Sequence, residues 1–333
     1  MNRKTRALIA LALILALALP FLVPSGALLD SQRNRMMEEL WQEEEAGGED
    51  AGRLLNLLLP RASAETAKPA TPLPEDFSPG YPLNPAGFSD TGYRDDSVEV
   101  ALETVEKDGV VFRVARVSIA HPSQLRTATA GNPSSSRVAF ISSMAEKNNA
   151  AIAINANYMA NDPVKTSYEY RMGVKVRAKL NRTKDLLIID ENADFHLFVK
   201  SGKQEVEDFL AKGHRIINAF TFGPALVKDG ALLTLDGKYG YNPHGDEPRM
   251  AIGQIGPLSY VLVLAEGRSK DSKGVSHEEL ANFMFDLGCM QAFNLDGGNS
   301  ATMVFNGGYY QNKSRDNERA QSDMIYFASA VAP

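Results

Sequence analysis

The 333-residue chain has one cysteine, Cys289, and five histidines. A single thiol can close no intramolecular disulfide and supplies no CxxC redox or zinc pair. Cys289 follows an expected helix at the edge of an apolar segment and reads as a small buried hydrophobe. His121, His196, His214 and His277 have no ligand-like spacing to one another, which argues against a zinc site. His244 lies in a polar loop and reads as solvated. Positive charge is also scarce: 35 Lys and Arg stand against 41 Asp and Glu, a net charge of -6. No basic patch interleaved with aromatics occurs, so a nucleic-acid partner is excluded. One or two arginines still suffice to hold a phosphate. An EF-hand-like D-x-D-x-D-G loop is missing, and Gly298-Asn299-Ser300-Ala301-Thr302 lacks the second glycine of a nucleophile elbow, so a serine hydrolase is not indicated. There is no internal repeat. With 44% hydrophobic and 23% charged residues, the chain has the composition of a globular protein with a sizeable core.

The amino terminus carries a leader pattern. Arg3, Lys4 and Arg6 precede an uncharged apolar run from Ala7 to Val23, and Ser25-Gly26-Ala27 supplies small residues suited to a signal peptidase. Residues 1–29 read as a signal peptide or an uncleaved signal anchor, positive side inside. Either sends the rest of the chain out of the cytoplasm, and an uncleaved leader would attach it to the membrane. From Glu38 to Asp50 there are seven acids and no bases, and seven of the 17 prolines lie between Pro60 and Pro85. Residues 30–92 therefore read as an acidic, then proline-rich linker, and residues 93–333 as one globular domain.

Within that domain strands dominate. Val98, Val100 and Leu102 alternate with polar residues, Asp108-Gly109 offers a two-residue hairpin turn, and Val110 to Ile119 forms the return strand. A helix is expected from Pro133-Ser134 to about Lys147, and another over Gln204 to Ala211 with Gly213 as its stop. Ser276 and Glu279 form a capping box for a helix presenting Leu280, Phe283, Met284 and Leu287 on one face and ending at Gly288. Strands are expected at 151–155, 216–220, 225–228, 231–235, 250–254, 259–265, 291–295 and 301–305, then 309–312 after a turn at Asn306-Gly307. This order is neither a strict βαβ alternation nor all-β. It indicates an α+β fold, a mixed and largely antiparallel sheet with a few packed helices.

Polar residues next to glycine gather at strand ends. The strand ending at Leu295 runs into Asp296-Gly297-Gly298-Asn299-Ser300. Glycines there let backbone approach a ligand and expose N–H groups to an anion; the alternative is a plain Asp-Gly turn. Asn155 and Asn157 flank one alanine on the same side of an extended chain, and they pair either with sugar hydroxyls or with a neighbouring loop. Arg249 opens an apolar strand, where a guanidinium meets an oxyanion or a structural carboxylate. Glu266-Gly267-Arg268 closes another strand, as site or as surface turn.

Taken in order, these motifs resemble the phosphodiester glycosidase family. The resemblance runs from about residue 115 to 330. It takes in Asn155-Ala156-Asn157-Tyr158, Phe222-Gly223-Pro224-Ala225-Leu226-Val227, Pro248-Arg249-Met250-Ala251-Ile252-Gly253, Glu266-Gly267-Arg268, the helix leading to Asn294-Leu295-Asp296-Gly297-Gly298, and the closing stretch from Arg319 to Phe327. The family more often has glycine at the positions of Ala156 and Asn299, and aspartate at that of Glu266. The resemblance implies an exported hydrolase cutting the C1–O bond of a sugar-1-phosphodiester, of the α-N-acetylglucosamine type, on a cell-wall or exopolysaccharide glycan. Asp296 is then the carboxylate that attacks or activates water, and Glu266 the second carboxylate, oriented by Arg268. Arg249 and the Gly297-Gly298 amides hold phosphate, Asn155 and Asn157 bind the sugar, and Arg268, Asn299 and Ser300 complete the substrate-binding set, Asn299 reshaping the anion-holding turn. No metal is required, although carboxylate-rich loops of exported proteins accept calcium. The alternative is a noncatalytic carbohydrate- or wall-binding module of the same fold.

Overall fold

The computed structural model describes residues 70–157, 167–200, 202–237, 239, 242–313 and 317–332. The leader, the acidic stretch and Tyr158 lie outside the described residues. The first long hairpin forms as its sequence dictates: Asp108 and Gly109 both take positive φ, 52° and 75°, the requirement of a type I′ turn.

In chain order the strands are β1 (Phe88–Ser89), β2 (Gly92–Arg94), β3 (Val98–Lys107), β4 (Val110–Ile119), β5 (Leu125–Thr129), β6 (Ala150–Asn155), β7 (Tyr168–Arg171), β8 (Val174–Ala178), β9 (Asp185–Asp190) and β10 (Phe195–Phe198). They continue with β11 (Ile216–Phe222), β12 (Ala225–Lys228), β13 (Ala231–Leu232), β14 (Arg249–Gly256), β15 (Ser259–Ala265), β16 (Gln291–Leu295), β17 (Met303–Phe305), β18 (Gly308–Tyr309) and β19 (Asp323–Ala328). The α-helices among the described residues are α1 (Ile141–Lys147), α2 (Lys203–Ala211) and α3 (His277–Asp286). The capping box of α3 is formed as its sequence indicates, with Glu279 N–H donating to Ser276 Oγ at 3.1 Å and Ser276 N–H to Glu279 Oε2 at 2.7 Å.

The strands build three sheets, ordered β1-β2-β3-β4-β15-β14-β16-β12-β13, β10-β9-β11-β7-β8 and β18-β17-β6-β19-β5. Pairings such as β14 with β15, β9 with β11 and β6 with β19 are antiparallel. One apolar cluster draws on all three sheets, with Val117, Ile252 and Phe293 from the first, Leu187 and Phe220 from the second, and Ile154 and Phe327 from the third. Each outer face carries its own helix: Phe283 and Met284 of α3 pack with Val263 and Ala251, Val206 and Phe209 of α2 with Ile188 and Ala219, and Met144 of α1 with Ala153 and Tyr326. The domain is thus an α+β assembly in which three helix-backed sheets share one core.

Two expectations change in detail. The helix before Lys147 begins only at Ile141; residues 133–140 are turn and extended chain that includes a bridge between Ala139 and Gln321. Residues 70–92, read as linker, lie against the domain. Arg126 is fully buried and engages all five of its donors. They reach Pro74 O (3.0 Å), Ser123 O (3.1 Å), Asp76 O (2.9 Å), Ser78 O (3.0 Å) and the Tyr326 hydroxyl (3.1 Å). Leu73 joins the α1 cluster, and Thr71 N–H donates to Ala330 O at 2.9 Å. A proline-rich segment with few backbone donors is a suitable substrate for this clamp, because its carbonyls are free to accept.

Candidate active site

The three sheets meet at the end of β6. Asp296 follows β16 in the nine-stranded sheet, Glu169 lies on β7 in the second sheet, and Asp323 opens β19 in the third. Asn155-Ala156-Asn157, leaving β6, joins them. Asn155 Nδ2 donates to Asp296 O at 2.7 Å, Asp296 N–H to Ala156 O at 3.2 Å, and Ala156 N–H to Asp323 O at 3.4 Å. Asn157 Nδ2 donates to both oxygens of Glu169, at 2.8 and 2.9 Å.

Arg171 completes this buried cluster. Its Nη2 donates to Asn157 Oδ1 (2.8 Å), Glu169 Oε2 (3.1 Å) and Asp323 Oδ2 (2.6 Å), and its Nη1 to Ala219 O and Tyr170 O. The Phe220 ring lies 4.2 Å from the guanidinium carbon. Such burial is tolerable for an arginine only with this degree of pairing. Burial pushes the Glu169 carboxyl up to about 7, against the pull of the Arg171 charge and the Asn157 amide. That value suits proton exchange near neutral pH.

Burial also raises Asp296, while the Ser300 hydroxyl, the Arg319 charge and the Gly297 N–H pull it down and the Asp323 charge adds to the rise. Ser300 is fully buried and links the two sides, since Arg319 Nη1 donates to its Oγ at 3.3 Å. The carboxylate thus lies just before a short 3-10 turn, Gly298–Ser300, whose N-cap is Gly297 and which is braced from several directions. One brace is Lys313, whose Nζ donates to Asn299 O (3.0 Å), Ala301 O (2.7 Å) and Thr302 Oγ1 (2.9 Å). Burial pushes this ammonium down to about 8.

Beside the turn is a cavity of about 310 Å³ lined by Glu266, Arg268, Gly298, Asn299, Lys313 and Asn317, among others. Glu266 is buried and its Oε1 accepts from Arg113 Nε at 2.7 Å and Asn312 N–H at 2.9 Å. Arg268 is exposed, donating from Nε to Glu247 Oε2 at 2.7 Å and from Nη1 to Asn299 Oδ1 at 3.0 Å.

The residues singled out in the sequence thus occupy three settings. Glu266, Arg268, Gly298 and Asn299 share this cavity, and Asp296, Gly297 and Ser300 form the adjoining turn. Asn155 is fully buried, with Oδ1 accepting from Thr302 N–H at 3.0 Å and Nδ2 also donating to Ala156 O at 3.1 Å, so its amide organises strands. Gly297 N–H faces the Asp296 carboxylate and Gly298 N–H donates to Pro248 O at 2.7 Å. Arg249 is buried, with its guanidinium held by Val275 O (3.0 Å), Asn242 O (2.6 Å) and Gly245 O (3.3 Å). Its Nη1 lies 2.8 Å from Nε2 of His277, which burial and the Arg249 charge push down to about 3. Neutral His277 accepts that bond, and Arg249 fastens the loop at 242–245 to the start of α3.

Glu169, Arg171 and Lys313 carry no signal in the sequence, and Arg319 and Asp323 enter it only within the closing stretch of the resemblance, with no role attached. In Tyr168-Glu169-Tyr170-Arg171 the two charges alternate with tyrosines, a pattern equally suited to a solvated strand face. Their burial depends on β19, more than a hundred residues further on.

A family model, phosphodiester glycosidase, matches residues 148–328. The chain belongs to the phosphodiester glycosidase family. The match covers β6 through β19 and so includes every carboxylate of the cluster. The chain is also 35% identical over 126 residues to the SPbeta prophage-derived uncharacterized protein YomE of Bacillus subtilis (strain 168), a stretch that is 37% of this chain and 19% of that relative. The chain therefore matches about a fifth of the length of that relative. Among solved structures, the catalytic domain of zebrafish N-acetylglucosamine-1-phosphodiester alpha-N-acetylglucosaminidase, auto-inhibited by its pro-peptide, superposes with a TM-score of 0.54 at 18% identity, covering 75% of this chain and 87% of that one. This likeness places the two domains in one fold.

Proposed function

We propose that this phosphodiester glycosidase is exported and cleaves the sugar C1–O bond of a sugar-1-phosphodiester, of the α-N-acetylglucosamine type, within a cell-wall or exopolysaccharide glycan. The observation that carries the reading is that Asp296 and Glu169, two carboxyls raised by burial, belong to residues both tied to Asn155-Ala156-Asn157 at the end of β6, Asp296 through its backbone and Glu169 through its carboxylate. C1–O cleavage expels a phosphomonoester dianion whose conjugate acid has a pKa of about 6, far below a sugar alcohol's, so its departure needs little help from a general acid, in contrast to an ordinary glycoside. What the site must supply is a carboxylate toward the cationic sugar carbon or toward water, a group to take the proton of that water, and a positive seat for the phosphate.

Asp296 fills the first role, with Ser300 and Arg319 opposing the rise that burial imposes on its carboxyl. Glu169, poised near neutrality, exchanges the proton. The cavity at Arg268 and Asn299 receives the phosphodiester; at about 310 Å³ it lies at the low end of ligand sites, roughly 300–1,000 Å³. Glu266, across that cavity, orients Arg113 and the chain at Asn312.

The test is release of sugar from an α-N-acetylglucosamine-1-phosphodiester by the protein and by Asp296→Asn, in ¹⁸O-water. Release with label on the sugar, lost by at least about 10³-fold in the variant, supports the reading. Label on the phosphate would overturn it in favour of P–O cleavage. Binding of such diesters without turnover would identify a carbohydrate-binding module, a reading favoured by the internal engagement of the Asn155 amide and the Gly298 N–H.

A further inference from the structure

Away from that site, the end of β9, the strand β10 and the loop after α2 bring together Asp190, His196 and His214. The Asp190 carboxylate is buried, and the imidazoles are about a third exposed, 30% and 33%. Oδ1 of Asp190 accepts the N–H groups of Asn192 and Asp194, at 2.9 and 3.0 Å, which fixes the carboxylate plane. Oδ2 is turned to both rings: His196 Nε2 lies 3.0 Å away and His214 Nδ1 3.5 Å. The three candidate donor atoms all lie within 4.8 Å of one another.

The rings are also held from behind. Phe209 of α2 stacks on His214 at 4.6 Å with an interplanar angle of 7°, and lies 4.7 Å from the His196 ring. His196 projects from β10 on the α2 side because its neighbours Phe195 and Leu197 enter the common core. Alternation along one strand and a turn at Gly213 (φ 93°) after the helix thus deliver two imidazoles to one carboxylate oxygen.

We propose that Asp190, His196 and His214 bind a divalent ion of the zinc class, with a further ligand position open to solvent. Bonds of about 2.0–2.1 Å in tetrahedral geometry separate two ligand atoms by roughly 3.3 Å. The observed 3.0 and 3.5 Å bracket that separation, and the two ring nitrogens lie within 4.8 Å of each other, so rotation of the partly exposed imidazoles brings all three donors to one ion. Two imidazole nitrogens select a zinc-class ion over the hard, oxygen-seeking calcium and magnesium. The bound ion clips the β9–β10 hairpin to the loop that ends α2.

The experiment is titration of chelator-treated full-length protein with Zn²⁺ in competition with a chromophoric chelator, alongside thermal unfolding with and without Zn²⁺. The expected result is one equivalent bound per chain and a rise in Tm. His196→Ala and His214→Ala should weaken binding by more than about 100-fold, beyond the usual cost of losing an outer-sphere partner, and should abolish the rise in Tm. His121→Ala, elsewhere on the domain, should bind as the parent does. These surface imidazoles can be removed without emptying the core, and circular dichroism verifies that each variant is folded. Failure of the parent to bind one equivalent, unchanged affinity in both His196→Ala and His214→Ala, or displacement of Zn²⁺ by equimolar Mg²⁺ would each overturn the proposal.

Discussion

Arg171 and Asp323 form a wholly buried ion pair in which Nη2 and Nε both reach Oδ2, at 2.6 and 2.9 Å. Oδ1 is left to the Ser322 hydroxyl at 2.7 Å. The pair ties β7 to β19, and through Glu169 it controls a carboxyl of the proposed site.

Arg171→Met should leave Asp323 and Glu169 as buried acids without their cation. Breaking a buried pair from one side costs about 3–5 kcal/mol. Denaturant unfolding should show this as a lower midpoint. Arg171→Lys should recover only part of the loss, since one ammonium cannot replace the planar fork. A midpoint unchanged in Arg171→Met would contradict the assignment.

Glu169 gives the stability a defined pH dependence. Its carboxyl is raised from 4.5 to about 7 on folding, so between these values the folded state binds the extra proton. The associated stabilisation is complete below pH 4.5 and is lost as pH rises through 7, amounting to roughly 3 kcal/mol. Glu169→Gln should remove that slope between pH 5 and 7. Unfolding curves of parent and variant at several pH values measure it directly.

Ser300 lowers the Asp296 carboxyl through its hydroxyl. In Ser300→Ala that carboxyl should rise further, and the acidic limb of the pH–rate profile should move to higher pH by on the order of one unit. A merely structural serine would change the height of the profile and leave its acidic limb in place.

Arg126 should govern whether residues 70–80 stay on the domain. Arg126→Met removes five donors and strands carbonyls that had accepted them, with an expected cost of at least about 2 kcal/mol. Limited proteolysis should then cleave between 70 and 80 in the variant at enzyme levels that spare the parent.

Elements with local signals were legible in the sequence. The β3–β4 hairpin, the capped α3 and the strands at 225–228, 259–265 and 291–295 follow from turn residues, a capping box and apolar runs. The three-sheet arrangement was not legible, since β7, β8 and β10 are short and polar-interrupted, and nothing local to the apolar run of β9 shows that β11 will join the β9–β10 and β7–β8 hairpins into one sheet. The same reason hid half of the site. Asp296 stood out because glycines surround it, whereas Glu169, Arg171 and Asp323 look like surface charges until β6, β7, β11 and β19 close around them. The role of Arg249 was ambiguous for the opposite reason: an arginine entering an apolar strand announces a partner without saying which, and here its partners include carbonyls and His277.

The origin of one acid in each sheet has a consequence for the newly made chain. Since Asp323 heads β19, which is wedged between β6 and β5, no amino-terminal fragment ending before residue 323 can assemble the constellation. The cluster must therefore wait for β19, and a product cut before that strand would hold two of the three acids without the third.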